Sequence, residues 1–208
     1  TLKATGSVIQ DSGISISSNT NKLNTVLWAD SDGNGDGSIW LQGSSTITTN
    51  GGHLWMGGGA TNTSWNGLTV GGNGTTPGYA VGNATISSGA QFDGASLTTN
   101  GGNIAIYGKS RNGAGGSGSD SANYTEGVKI DQLGSTTINS GTGTILIDGA
   151  SQGSAQIAIG VEIDGSSNHP KIITSAAPAG TAAITITGVG SSSSTGYTSG
   201  VYINPAVT

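Results

Sequence analysis

The 208-residue chain has no cysteine, one phenylalanine, one methionine and four prolines, and only 8% of its residues are charged. Without cysteine there are no disulfides and no thiol catalysis, a composition compatible with an exported bacterial protein. Six basic residues, with Arg111 the single arginine, leave a net charge of −5. Binding a nucleic-acid backbone takes clustered cations, so nucleic acid is not an expected partner. No apolar run is long enough to cross a bilayer as a helix, and membrane insertion of this segment is not expected. Helical periodicity is also missing, and the abundant Gly, Ser, Thr and Asn are poor helix formers. With 33% hydrophobic residues, a conventional α/β core is hard to build. There is no start methionine and no signal peptide. The chain opens mid-pattern at Thr1-Leu2-Lys3, which reads as a piece of a longer precursor or a processed product.

What the chain has is glycine, 39 residues of it, placed within an internal repeat. The stretches Thr46–Gly58, Ser96–Gly108 and Thr137–Gly149 share one pattern. In each, an aliphatic residue (Ile47, Leu97, Ile138) is followed seven positions later by an aliphatic pair in alternation, as in Ile104-Ala105-Ile106. Glycines recur at two offsets, Gly52, Gly102 and Gly143, then Gly58, Gly108 and Gly149. A looser copy runs from Ile173 to Gly188. Alternation marks a strand with one buried face, and Asn-Gly-Gly marks a sharp turn. We call the strand before this turn a and the strand after it b. A third strand, c, recurs as Val128-Lys129-Ile130, Val161-Glu162-Ile163 and Val201-Tyr202-Ile203, with Leu68-Thr69-Val70 read as an earlier copy. In the first two the aliphatics face inward and the charge outward.

The order a-b-c repeats at spacings of 50, 41 and 39 residues, measured on Leu54, Ile104, Ile145 and Ile184. Three short strands per repeat predict one coil of a parallel β-helix. Stacking such coils about 4.8 Å apart buries an apolar stripe that no coil buries alone. The expectation is an all-β solenoid over residues 1–208, with about five coils and a length of roughly 25 Å. A rival count, with each strong strand as its own coil, gives about ten. The opening segment supplies Ile14-Ser15-Ile16, Val26-Leu27 and Ile39-Trp40-Leu41 as a first a-b-c set. Insertions gather between b and c, which predicts one decorated edge. The region 71–91 fits least well.

At Ile47-Thr48-Thr49-Asn50-Gly51-Gly52-His53-Leu54 and Leu97-Thr98-Thr99-Asn100-Gly101-Gly102-Asn103-Ile104 the chain resembles the filamentous-haemagglutinin-like and large autotransporter adhesins of Gram-negative bacteria. The likeness runs over residues 38–188. It implies a right-handed parallel β-helix, export to the cell surface or extracellular matrix, and a role as an adhesive shaft. The coils here are longer than is usual in that family, and its N-terminal secretion domain is not visible.

Candidate chemistry is sparse. Asp30, Asp32, Asn34 and Asp36 in the loop Asp30–Gly37 place oxygens at alternate positions with glycines between, as a Ca²⁺ loop does. The bidentate Glu at the twelfth position is replaced by Leu41, and the competing reading is a solvated turn. Trp40 and Trp55 alternate with inward aliphatics and are expected to face outward. Together with Trp65 and Tyr107 they are candidate contacts for a glycan or a surface protein; the competing reading is packing beneath the long loops. Tyr124, Tyr197 and Tyr202 can serve likewise. Asp148, Glu162 and Asp164 would gather near one coil as a carboxylate set for glycoside hydrolysis, against which stands the reading of scattered solubilising charges. His53 reads as an outward turn residue and His169 as part of a loop. The leading expectation is a non-catalytic structural and adhesive segment. The alternatives are a self-assembling filament subunit, whose partner is a copy of itself, and a carbohydrate-active β-helix enzyme.

Overall fold

Three strands, a corner between each pair, and a return to the starting edge make up each of the first five coils. A computed structural model describes residues 1–113, 123–131, 133–165 and 171–204, and the chain there is all β. The first coil is β1 (Leu2–Lys3), β2 (Val8–Gln10) and β3 (Ser15–Ser17). The second is β4 (Thr25–Trp28), β5 (Ile39–Leu41) and β6 (Thr46–Thr48). The third starts with β7 (Leu54–Gly57) and carries an insertion of β8 (Thr61–Trp65), β9 (Leu68–Gly72) and β10 (Ala80–Val81). It closes with β11 (Ala90–Phe92) and β12 (Ser96–Thr98). The fourth is β13 (Ile104–Lys109), β14 (Tyr124–Ile130) and β15 (Thr136–Asn139). The fifth is β16 (Ile145–Ala150), β17 (Ile157–Ile163) and β18 (Lys171–Thr174), and the sixth contributes β19 (Ile184–Val189) and β20 (Tyr197–Ile203).

Corresponding strands pair in parallel into three long sheets. The b sheet runs β1-β4-β7-β13-β16-β19, with β10 also on β13. The c sheet runs β2-β5-β11-β14-β17-β20, and the a sheet β3-β6-β12-β15-β18. Register pairs Leu2 with Leu27, Leu27 with Met56, Met56 with Ile106, Ile106 with Ile147, and Ile147 with Ile186, so successive coils take 25, 29, 50, 41 and 39 residues. The last three are the spacings read from the sequence. The count of about five becomes six rungs in the b and c sheets among the described residues, because the loosely patterned start already forms β1 and β2. The ten-coil alternative is not what forms.

Inward residues of all three sheets meet in one dry column. It includes Leu27, Ile39, Ile47, Leu54, Phe92, Leu97, Ile104, Val128, Ile138, Ile147 and Val161, each 0 or 1% exposed. Full burial of such side chains stabilises by about 1.5–3 kcal/mol each. Each coil supplies only a few of them, which is why a chain one-third hydrophobic suffices.

Glycine does two separate jobs at the corners. At the a-to-b turn, Asn50 and Gly51, then Asn100 and Gly101, take positive φ. The buried hydroxyls of Thr49, Thr99 and Ser140 close these turns by donating to the carbonyls of Gly52, Gly102 and Gly143. A Cβ on Gly102 would strike the backbone of Gly52, and one on Gly143 the backbone of Gly102. The second job is at the b-to-c corner. There Gly108, Gly149 and Gly188 lie against the carbonyls of Gly127, Gly160 and Gly200. The two strands meet at this narrow neck, and the chain between them can leave the coil without disturbing the stack.

Two expectations need correction. Leu68-Thr69-Val70 is not a c strand: β9 pairs antiparallel with β8 in a hairpin, and the c strand of the third coil is β11, with Ala90 opposite Val128. The sequence shows alternation at both places, and only the neighbouring rungs decide which joins the stack. Second, the decoration is not confined to an edge. The hairpin lies over the outer face of the b sheet and forms a second apolar cluster with Val26, Trp28, Trp55, Ala105 and Tyr107.

Candidate functional site

The outer face of the c sheet carries the densest chemistry. Register stacks Ile9, Trp40, Gln91, Lys129, Glu162 and Tyr202 in one column, one per rung. These are the middle residues of strands whose neighbours point into the core, so alternation sends them outward. The residue just past each c strand adds a second column. Asp93, Asp131, Asp164 and Asn204 follow Phe92, Ile130, Ile163 and Ile203, and each backbone N–H bonds back to the rung before.

Several of the groups on this face are buried despite facing out. Gln91 and Glu126 are fully buried, and Asp93, Asp131 and Glu162 nearly so. Trp40 Nε1 donates to Asp93 Oδ2 at 2.6 Å, and Gln91 Nε2 donates to Asp93 Oδ1 at 3.0 Å. Lys129 Nζ lies 3.8 Å from Glu126 Oε1 and 3.5 Å from Asp131 Oδ2. Ser88 Oγ donates to Glu126 Oε2, and Asn204 Nδ2 to Asp164 Oδ1 at 2.7 Å. Burial pushes the Asp93 carboxyl above its usual range, and the bonds from Gln91 and Trp40 oppose this only in part. Burial likewise raises Glu162, against the pull of Lys129 and a hydrogen bond with Glu126. Over the last three rungs the face opens into a groove of about 640 Å³. Glu126, Lys129, Asp131, Glu162, Asp164 and Asn204 supply its polar lining, and Tyr124, Tyr197 and Tyr202 its aromatic one.

Of the three carboxylates expected to gather, Glu162 and Asp164 do. Asp148 does not. It sits on the outer face of the b sheet, where Tyr79 Oη donates to Asp148 Oδ2 at 3.0 Å. Burial pushes Tyr79 up to about 12, with the charge of Asp148 adding to it, and burial also raises Asp148.

The tryptophans do not make an exposed patch. Trp55 faces outward but is fully buried under the hairpin, and Tyr107 is 8% exposed beside it. Their rings are 6.2 Å apart, and Tyr79 meets Tyr107 edge-on at 5.9 Å. Trp65, half-buried on β8, meets the His53 ring edge-on at 5.8 Å. Trp40, also half-buried, belongs to the c sheet and so shares no surface with Trp55. Packing beneath an insertion accounts for Trp55 and Tyr107, and Trp65 belongs to the insertion and packs against the same cluster.

In the 30–37 loop, Asp30 Oδ1 accepts from the N–H groups of Gly35 and Asp36 at 3.0 and 3.3 Å. Asn34 donates to Asp32 at 2.9 Å. The Asp30 carboxylate therefore folds the loop from within. Among the described residues no group of three His, Cys, Asp or Glu side chains is placed to hold a metal ion. His53 Nδ1 accepts from the Asn103 N–H, which fixes its neutral form, and burial followed by the Lys22 charge lowers its pKa. His169 lies outside the described residues.

Glu126, Asp131 and Asp93 were not singled out from sequence. The signal exists in the repeated Ile130-Asp131 and Ile163-Asp164. Its third member, Phe92-Asp93, is hidden by reading Leu68–Val70 as the c strand of that coil. The chain matches no protein-family model, no curated protein and no solved structure.

Proposed function

We propose that this segment is a structural and adhesive part of a bacterial cell-surface or extracellular matrix protein, a stiff, non-catalytic rod that displays its outer faces to a glycan or a surface protein. The observation that supports this most is the unbroken apolar column through the coils, bounded by three parallel ladders. Such a stack resists bending, because every rung shares its backbone hydrogen bonds with the next. Strands are fixed by their inward residues, which leaves outward positions and the b-to-c loops open to variation. The test is retention under flow. Beads carrying the segment are passed over surfaces coated with glycans or with matrix proteins, and albumin serves as the blank. Retention above the blank on at least one surface is expected. Equal release from all of them overturns the adhesive reading.

A further inference from the structure

The groove on the last three rungs of the c sheet is a site that the adhesive reading does not by itself specify. We propose that it binds a short, uncharged oligosaccharide; the inference rests on the adhesive reading and names the chemistry of what is held.

Shape comes first. The groove, about 640 Å³, falls within the usual size of small-ligand sites. Tyr124, Ile157 and Tyr197 stand in register on successive rungs along one side. Two rungs separate the tyrosines by about 9.6 Å, room for two linked sugar rings. Tyr197 is 51% exposed. It meets Tyr202 edge-on at 6.2 Å, which sets its ring across the direction of its neighbour. A pyranose presents an apolar C–H face that packs on such a ring, with hydroxyls left at its edge.

The floor supplies partners for those hydroxyls. Asp131, Glu162 and Asp164 bring carboxyl oxygens, each with more than one lone pair, while Lys129 and Asn204 bring donors, above the fully buried Glu126. Their mutual bonds hold them in place before any ligand arrives, which reduces the ordering cost of binding.

Charge and topology narrow the class. Four carboxyl groups against one ammonium repel a polyanion, so uronate-rich glycans and nucleic acids do not suit. A metal cation meets Lys129, whose ammonium already lies within 4 Å of two of the carboxylates. A peptide cannot add as a strand to β14 or β17, whose ladders are occupied on both sides.

The experiment is a titration of the whole segment by heteronuclear NMR. Neutral oligomers of glucose, xylose and N-acetylglucosamine form one arm and oligogalacturonate the other. Tyr197→Ala, an exposed position, tests the groove, and Thr48→Ala on the a sheet is the control, with both variants checked for an unchanged melting midpoint. At least one neutral oligomer is expected to shift resonances of the c sheet, with affinity about tenfold weaker in Tyr197→Ala and unchanged in Thr48→Ala. Oligogalacturonate should give no shift. If no neutral oligomer binds, if Tyr197→Ala binds as well as the parent, or if oligogalacturonate binds best, the proposal is overturned. Bead retention on a protein-coated surface would still stand in that case. Appearance of shortened sugars would support the groove and overturn the non-catalytic part of the proposed function.

Discussion

The outer faces of the b and c sheets are built on the same rungs, yet they meet different fates. On the b sheet the outward column is Val26, Trp55, Ala105 and Leu146. It is apolar, and the β8–β9 hairpin folds back over it. On the c sheet the outward column turns from Trp40 to Gln91, Lys129 and Glu162, and a groove stays open. The inward pattern is the same for both and builds the rod. The outward pattern decides where an insertion is recruited as a cover and where a groove stays uncovered.

The largest expected effect tests that contrast directly. Trp55→Ala removes a fully buried ring from beneath the hairpin and should cost about 3–5 kcal/mol in denaturant unfolding. Trp40→Ala, half-buried on the other face, loses one hydrogen bond to Asp93 and part of its packing, and should cost about 1–2 kcal/mol. Equal losses would mean that the hairpin is not a true second core.

The rod was legible in the sequence because its inward alternation is repeated and its turns carry Asn-Gly-Gly. Ile104, Ile145 and Ile184 align by spacing alone, and they are register partners. The faces were less legible. Alternation says that Trp55 points away from the coil, but not that residues 61–72 return to bury it. Leu68–Val70 alternates as a c strand does, and only the position of Ala90 opposite Val128 shows which segment joins the sheet. The groove was hidden for a related reason. Its carboxylates come from adjacent coils 30 to 40 residues apart, and knowing that Glu126 and Glu162 meet requires the rung register rather than the local pattern.

The next effect concerns pH. Asp30, Asp93, Asp148 and Glu162 are all held above their usual range by burial. A raised carboxyl pKa means that the folded chain binds more protons than the unfolded one between the two values. Stability from these groups is then present below about pH 4, the ordinary carboxylate range, and is lost as pH rises through each raised value. His53 opposes this, since its lowered pKa removes stability as pH falls below about 6.5. The carboxyl groups should leave the melting midpoint higher near pH 4 than at pH 8. Combining Asp93→Asn with Glu162→Gln on the c sheet should flatten the profile more than Asp148→Asn on the b sheet. A profile that falls monotonically below pH 7 would contradict the burial of the c-sheet carboxyls.

The smallest effect sharpens how the b-sheet cover is fastened. Tyr79 lies in the insertion of the third coil, whereas Asp148 belongs to the fifth, so their hydrogen bond ties the cover across two rungs. Tyr79→Phe keeps the ring against Tyr107 and removes only the hydroxyl. The expected cost is about 1 kcal/mol. The sign of a second change separates a clamp from a bystander. The bond from Tyr79 lowers the Asp148 pKa against the effect of burial, so its loss should move the Asp148 carboxyl titration upward in an NMR pH series. An unmoved titration with an unmoved melting midpoint would show that the cover is held by the apolar contacts of Trp55 and Tyr107 alone.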